Sequence, residues 1–223
     1  MDMRICGKGN VPAGEYQQVS IRGTGRLFGK VRCFSFRASG KSRGESIECA
    51  EKFKTAGTAS FSEHIKAKQI RAAGSLSCGG DRMTSSSGER ALRIKCENLS
   101  VSGSLRVGGD VEAECVKLAG VARCEGLLNA EAIEIQADRV MTFGSIGGGR
   151  ILIKRKRVSV FVKRRTIVST SIEGDDLTLE YVTCPKVTGR SVTVGRGCKI
   201  DLVEYGETVK ISPKASVRKI EKI

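Results

Sequence analysis

Four groups of residues in this 223-residue chain have types and spacings that suggest chemistry. Gly40-Lys41-Ser42 has the ending of a phosphate-binding loop, where backbone amides cradle phosphates and a lysine reaches them. Such a loop needs a glycine five residues before that Gly-Lys pair, and Ser35 stands there. The glycine-rich run at 144–149 lacks both the lysine-serine ending and dinucleotide spacing, so it reads as a bend. Nine cysteines form no CxxC pair, and the single histidine is His64. That argues against zinc ligation and against a His-based triad. Carboxylates occur as Glu112/Glu114, Glu131/Glu134 and the run Glu173–Asp176. Paired acids in a groove cleave polysaccharides, but these read as solvent-facing or turn residues. We expect no catalytic, cofactor-binding or metal-ligating residue, no cofactor and no enzymatic activity.

The fourth group is basic. From Arg139 to Ile172 there are nine Lys/Arg and no Asp/Glu, which supplies +9 of the net +15. Arg150, Lys154, Arg155, Lys156, Arg157, Lys163, Arg164 and Arg165 are the candidate contact for an anionic surface. A membrane or an acidic protein fits better than nucleic acid, because only Phe143 and Phe161 offer stacking surfaces. The rival reading is a solvated strand pair kept soluble by charge.

The elements that position these groups come from a repeat. Gly23, Gly40, Gly57 and Gly74 are spaced by 17; Gly103 follows 29 later and Gly120 another 17 on, with Ala137 next. The longer interval before Gly103 fits an insertion at the turn-rich stretch 79–90. Four before each anchor stand Val19, Phe36, Phe53, Ile70, Leu99, Val116 and Ile133; two before stand Ile21, Ala38, Thr55, Ala72, Val101, Leu118 and Ile135. Eight after stand Val31, Ile65, Ile94, Val111 and Leu128, with Glu48 breaking that column. Ten after stand Cys33, Ala50, Ala67, Cys96, Ala113 and Ala130. Four after stand Leu27, Gly44, Phe61, Cys78, Val107, Cys124 and Met141. Cys33, Cys78, Cys96 and Cys124 therefore read as small core residues, while Cys6, Cys49, Cys115, Cys184 and Cys198 fall off the inward columns.

Inward positions two apart, separated by steps of three or four, describe short strands joined by corners. We expect an all-β parallel β-helix with a repeat of about 17 per turn and a triangular cross-section. The six repeat-corner glycines are Gly23, Gly40, Gly57, Gly74, Gly103 and Gly120. A left-handed β-helix is the nearest rival, but its hexapeptide logic gives 18 per turn; a sandwich would need the periodicity to be chance. Seven turns span 1–142, a basic excursion spans 143–171, and a C-terminal β segment spans 172–223. In that last segment a weaker lag of 17 relates Gly189 to Gly206, Val192 to Val209, Val194 to Ile211 and Ile200 to Val217. It reads as further turns of the same solenoid, with a separate small domain as the alternative.

The opening "ICGKGNVPAGEYQQVSIRGTGRLFGKVRC" and the closing "IEGDDLTLEYVTCPKVTGRSVTVGRGCKIDLVEY", with the glycine-anchored repeats between them, resemble the long Gram-positive bactofilins. The resemblance implies a right-handed β-helix. It also implies a polymer-forming cytoskeletal protein that assembles end to end, without nucleotide, into nonpolar filaments serving cell shape, envelope organisation or motility. The chain differs from short bactofilins in lacking proline-rich tails and a hydrophobic N-terminal tip. Its expected partners are itself, as a homopolymer through the β-helix ends, and a paralogue. With no signal segment or span of about 20 apolar residues, and thiols suited to a reducing compartment, the expected place is the cytoplasm, with membrane association through the basic segment. The alternatives are a β-helical polysaccharide-acting enzyme and a basic adaptor for anionic membrane or nucleic acid.

Overall fold

Inward residues two apart dictate strands, and a lag of 17 dictates that each strand meets its counterpart one lap later. The computed structural model, described over residues 1–79, 92–137, 139–155 and 166–223, shows both. Its regular elements are all strands, and no helix occurs among the described residues. In chain order they are β1 (Asp2–Val11), β2 (Gly14–Leu27), β3 (Lys30–Gly44), β4 (Ser46–Phe61), β5 (Ile65–Cys78), β6 (Leu92–Lys95) and β7 (Asn98–Val107). There follow β8 (Asp110–Ala137), β9 (Met141–Arg155), β10 (Ile167–Leu179), β11 (Val182–Val194), β12 (Lys199–Ile211) and β13 (Ser216–Lys222). The chain divides into two units, Met1–Ala113 and Glu114–Ile223.

In the first unit β1 to β5 pair in sequence order, all in parallel. β5 then pairs with β6 and β7, and β6 with the first residues of β8. This is a β-solenoid. The two most regular apolar columns are successive ladder partners: Met3, Val19, Phe36, Phe53, Ile70 and Leu99, and beside them Ile5, Ile21, Ala38, Thr55, Ala72 and Val101. Strand spacing of about 4.8 Å is also a good ring-stacking distance. Accordingly Phe36 lies on Phe53 at 4.9 Å between centroids and 13° between planes, with Phe61 edge-on to both. Register survives the turn-rich stretch: Ile65 pairs with Ile94 and Gly74 with Gly103, although residues 80–91 lie outside the described residues.

The glycine column is a collision rule. Gly7, Gly23, Gly40, Gly57, Gly74 and Gly103 are successive partners. Gly40 has φ of +118°, a region L side chains rarely enter. A Cβ there would also run into the carbonyl oxygen of Gly23 one lap earlier, and the same holds at each later member. Gly120 shares the conformation at +127°.

Two columns differ from the sequence reading. Val31 pairs with Ile47, one short of the lag, and Ile47 with Ile65, one beyond it; the lag of 17 returns where Ser35 meets Lys52 and Lys52 meets Gln69. Thus Ile47 fills the place left by Glu48, and the buried residue is Cys49 while Ala50 is exposed. A corner absorbs one residue more or less without disturbing the ladders on either side.

The second unit is also a parallel solenoid, β8–β9–β10–β11–β12–β13. Its inward columns include Ile133, Ile151, Leu177, Val192 and Val209, and Leu128, Ile146, Ile172, Val187 and Val203. Val192–Val209, Val194–Ile211 and Ile200–Val217 pair as the lag of 17 predicts. Gly189 pairs with Tyr205 and not Gly206, because a bulge intervenes. Residues 143–155 are not an excursion: they form most of β9, paired with β8 and β10. The longer lap comes after them, since Met141 has its next-lap partner only at Ile167.

Replacing Gly40 by Ala should therefore cost about 3 kcal/mol or more, from backbone strain plus the carbonyl clash. Gly206→Ala, where a Cβ meets nothing closer than 3.7 Å, should cost far less. Urea unfolding of both variants beside the parent checks the contrast; equal losses would remove the collision rule.

Candidate functional site

Outward residues obey the same ladder, so charge is organised in columns. On one face of the first unit the column alternates: Glu15, Arg32 and Glu48 are successive partners. Arg32 reaches Glu15 at 3.2 Å and Glu48 at 3.3 Å; Lys30 closes on Glu48 at 2.7 Å and His64 at 3.4 Å. Hydrogen bonding from Lys30, with Arg32 and His64 beside it, holds the Glu48 carboxyl below its ordinary range. Glu15 likewise raises the Arg32 guanidinium.

Across the glycine corner the pattern is different. The stacked segments 18–28, 35–44, 52–61, 69–78 and 98–107 together carry nine Lys/Arg and no Asp/Glu. Arg37, Lys54 and Arg71 are direct ladder partners, as are Arg26 and Arg43. Two depressions open here. One, about 670 Å³, is bordered by Thr24, Arg26, Phe28, Lys41, Arg43 and Glu45; the other, about 420 Å³, by Arg4, Ser20, Arg22, Arg37 and Ser39.

The predicted basic contact is only partly described. Arg150 and Lys154 are exposed on β9. Arg155 is half-buried and turned onto Tyr181, its guanidinium 5.1 Å from the ring centroid and donating to the phenol oxygen at 3.4 Å. Lys156, Arg157, Lys163, Arg164 and Arg165 lie outside the described residues.

The acids sort into two kinds. Glu112 is held by Lys95 at 2.9 Å. Glu131, Glu173 and Asp175 line a trough of about 830 Å³ in the second unit, facing Arg190 over a floor that includes Gly147, Gly148, Gly149 and Gly174. The floor needs glycine: a Cβ on Gly148 would run into the backbone carbonyl oxygen of Ala130, and one on Gly174 into that of Gly148. Among the described residues no three of His, Cys, Asp and Glu gather as a metal-holding group.

Cys33, Cys78 and Cys124 are buried, as the columns predict, and Cys96 is half-buried. Cys49, Cys184 and Cys198 are buried too, against expectation, because their laps run shorter than 17. Cys33 and Cys49 are ladder partners with sulfurs 3.4 Å apart. The shared proton lowers Cys33 and, with burial, raises Cys49.

The chain is similar to the uncharacterized protein YhbF of Bacillus subtilis (strain 168): 29% identical over 99 residues, covering 44% of this chain and 42% of YhbF. The chain thus spans less than half of that relative. No family model matches, and no solved structure matches. No helix among the described residues is long and apolar enough to cross a membrane.

The like-charge columns are absent from the sequence expectations because a contiguous basic run is the more conspicuous signal. Their own signal lies at the glycine lag: Arg37, Lys54 and Arg71 all stand three before an anchor.

The buried thiols yield a pH prediction. Burial pushes Cys78 and Cys96 up to about 12 and Cys184 up to about 11, from 9.0. Below about pH 8 both folded and unfolded chains keep these protons, so stability is unaffected. As pH rises from about 9 towards 12 the unfolded chain ionises first, and stability falls. Urea midpoints measured across that window should drop, and Cys96→Ala should flatten part of the decline; an unchanged slope in the variant would contradict the assignment.

Proposed function

We propose that this protein is a bactofilin-like cytoskeletal scaffold whose copies associate through the open strand edges without nucleotide. The observation that carries the reading is at β1. Among the described residues β1 pairs only with β2, and β13 only with β12. An unpaired parallel edge presents N–H and C=O groups to any strand of matching shape. At every later glycine of the column, a Cβ would meet the preceding lap; at Gly7 it meets nothing within 4 Å. Gly7 therefore keeps the passage for a neighbouring backbone that the same sequence uses inside the solenoid. β13 is better guarded, with Arg218, Lys219 and Lys222 exposed along it. In this reading the protein is not an enzyme and takes no cofactor, works in the cytoplasm, copolymerises with itself or a paralogue, and uses Arg150 to Arg165 against an anionic membrane surface or an acidic protein.

Negative-stain imaging without nucleotide should show filaments. Gly7→Ala should lose less stability than Gly40→Ala, because strain acts without a clash, yet should shorten or abolish filaments. A parent protein that stays monomeric at micromolar concentration would sink the reading.

A second reading has one observation in its favour. The trough holding Glu131, Glu173 and Asp175 is the acid-lined groove that a polysaccharide-acting enzyme needs. Under it, purified protein should cleave an acidic or neutral glycan, and Glu131→Gln and Glu173→Gln should each abolish cleavage. No cleavage by the parent protein across a glycan panel would dismiss it.

A further inference from the structure

The first unit stacks charge in two opposite ways. On the Glu15–Arg32–Glu48 column each charge is met by its opposite one lap away. Across the corner, Arg26 and Arg43 are direct Cα partners of the same sign. Like charges directly opposite in a ladder destabilise it. Lys41 adds a third positive charge, two positions from Arg43 and so on the same side of the strand. All three side chains are exposed, and among the described residues none has a carboxylate ion-pair partner. The same sequence that neutralises one face leaves this one charged, and does so around a concavity.

The concavity is built for more than charge. Arg26 lies over the Phe28 ring at 4.9 Å from its centroid. Thr24 and Ser62 bring hydroxyl groups to the wall. Glu45 stands at the rim, the one carboxylate among the residues that line the cleft. Two guanidinium forks, an ammonium and hydroxyl donors form the donor set that matches the several oxygens of a phosphate.

We propose that the cleft of Arg26, Lys41, Arg43, Thr24, Ser62 and Phe28 is a binding site for a phosphate-bearing anion, the counter-charge that this like-charge ladder lacks among the described residues. Three cations lining one cleft favour a ligand with several phosphates. The site does not rest on the assembly reading, since it is complete within one copy.

The test uses the full chain and inorganic tripolyphosphate, titrated calorimetrically at fixed ionic strength. Binding should saturate. Arg26→Gln and Arg43→Gln should each weaken it by about tenfold or more, as expected for losing one charged hydrogen-bond partner. Arg32→Gln removes the same charge from the alternating column and should change affinity less than about twofold, a change within the scatter of surface charges. Urea midpoints of the three variants show whether each is folded. Absence of saturable binding by the parent, or an Arg32→Gln loss equal to that of Arg43→Gln, overturns the proposal. Vesicles of phosphatidylglycerol in phosphatidylcholine then separate the sources. Co-sedimentation lost in Arg43→Gln supports a lipid headgroup as ligand. Co-sedimentation absent or indifferent to Arg43→Gln, with tripolyphosphate binding retained, supports a soluble phosphate.

Discussion

In-register parallel pairing places every side chain about 4.8 Å above its counterpart one lap earlier and the same distance below the next. Each column must therefore consist of residues that tolerate their own neighbours. Phenyl rings do so by stacking, as Phe36 does on Phe53. A corner that passes within van der Waals contact of the previous corner does so only with glycine, as at Gly40 over Gly23. Thiols approach closer than the strands that carry them, as at Cys33 and Cys49, whose sulfurs are 3.4 Å apart. Charges have two solutions: alternate in sign, or face something outside the chain.

That constraint explains which features the sequence disclosed. Columns fixed by collision or by burial are legible at a constant lag, because only glycine fits the one and only apolar side chains the other. The glycines and the Val19–Phe36–Phe53–Ile70 column belong to this kind, and so does Ile94, found by counting back across an insertion. Positions next to corners are less legible. By count Glu48 interrupts an inward column, but the lap before it is one residue short and the next is one long, so Ile47 fills the place. The same slack moves Cys49 inward and Ala50 outward. Cys184 and Cys198 escape a count by 17 because the laps beside them are short: Ile167 meets Val182, and Thr183 meets Lys199. Unlike the glycine corner, the corner at Phe34 and at Ala50–Glu51 has no ladder pair to punish a gained or lost residue, so nothing in the local sequence marks the change.

Charge was legible in amount and not in arrangement. The run from Arg139 to Ile172 stands out because its cations are contiguous, yet contiguity is a poor guide in a solenoid. Neighbours in sequence point to opposite sides of the strand, while side chains one full lap apart touch. Arg37, Lys54 and Arg71 are a closer cluster than their spacing suggests, and Arg155, in the middle of the contiguous run, is turned inward to Tyr181. Likewise Glu131 and Glu173, which belong to separate acidic groups in the sequence, line one trough. Reading outward positions by the lag found for inward ones would have shown the first grouping. It would have missed the second, since the laps between Glu131 and Glu173 are not 17.

The two units differ in how strictly the rule binds them, and the difference bears on assembly. In the first unit the glycine column holds the register: a corner displaced by one residue would bring a Cβ against a carbonyl, so Gly23, Gly40, Gly57 and Gly74 meet at a constant 17, and Gly7 and Gly103 join the same column across a lap of 16 and one of 29. In the second unit the laps are uneven, from the short one between Ile167 and Val182 to the long one between Met141 and Ile167. Among the described residues the one non-glycine with positive φ, Tyr181 at 55°, sits between β10 and β11. The lap from Met141 to Ile167 contains residues 156–165. A docking strand must match the exposed edge residue for residue, because a slip of one turns its inward side chains out. Strict laps favour such a match and loose ones oppose it. The edge of β1, which ends the regular unit and carries Gly7 at the corner position, is on this ground a better seat for a second copy than the edge of β13.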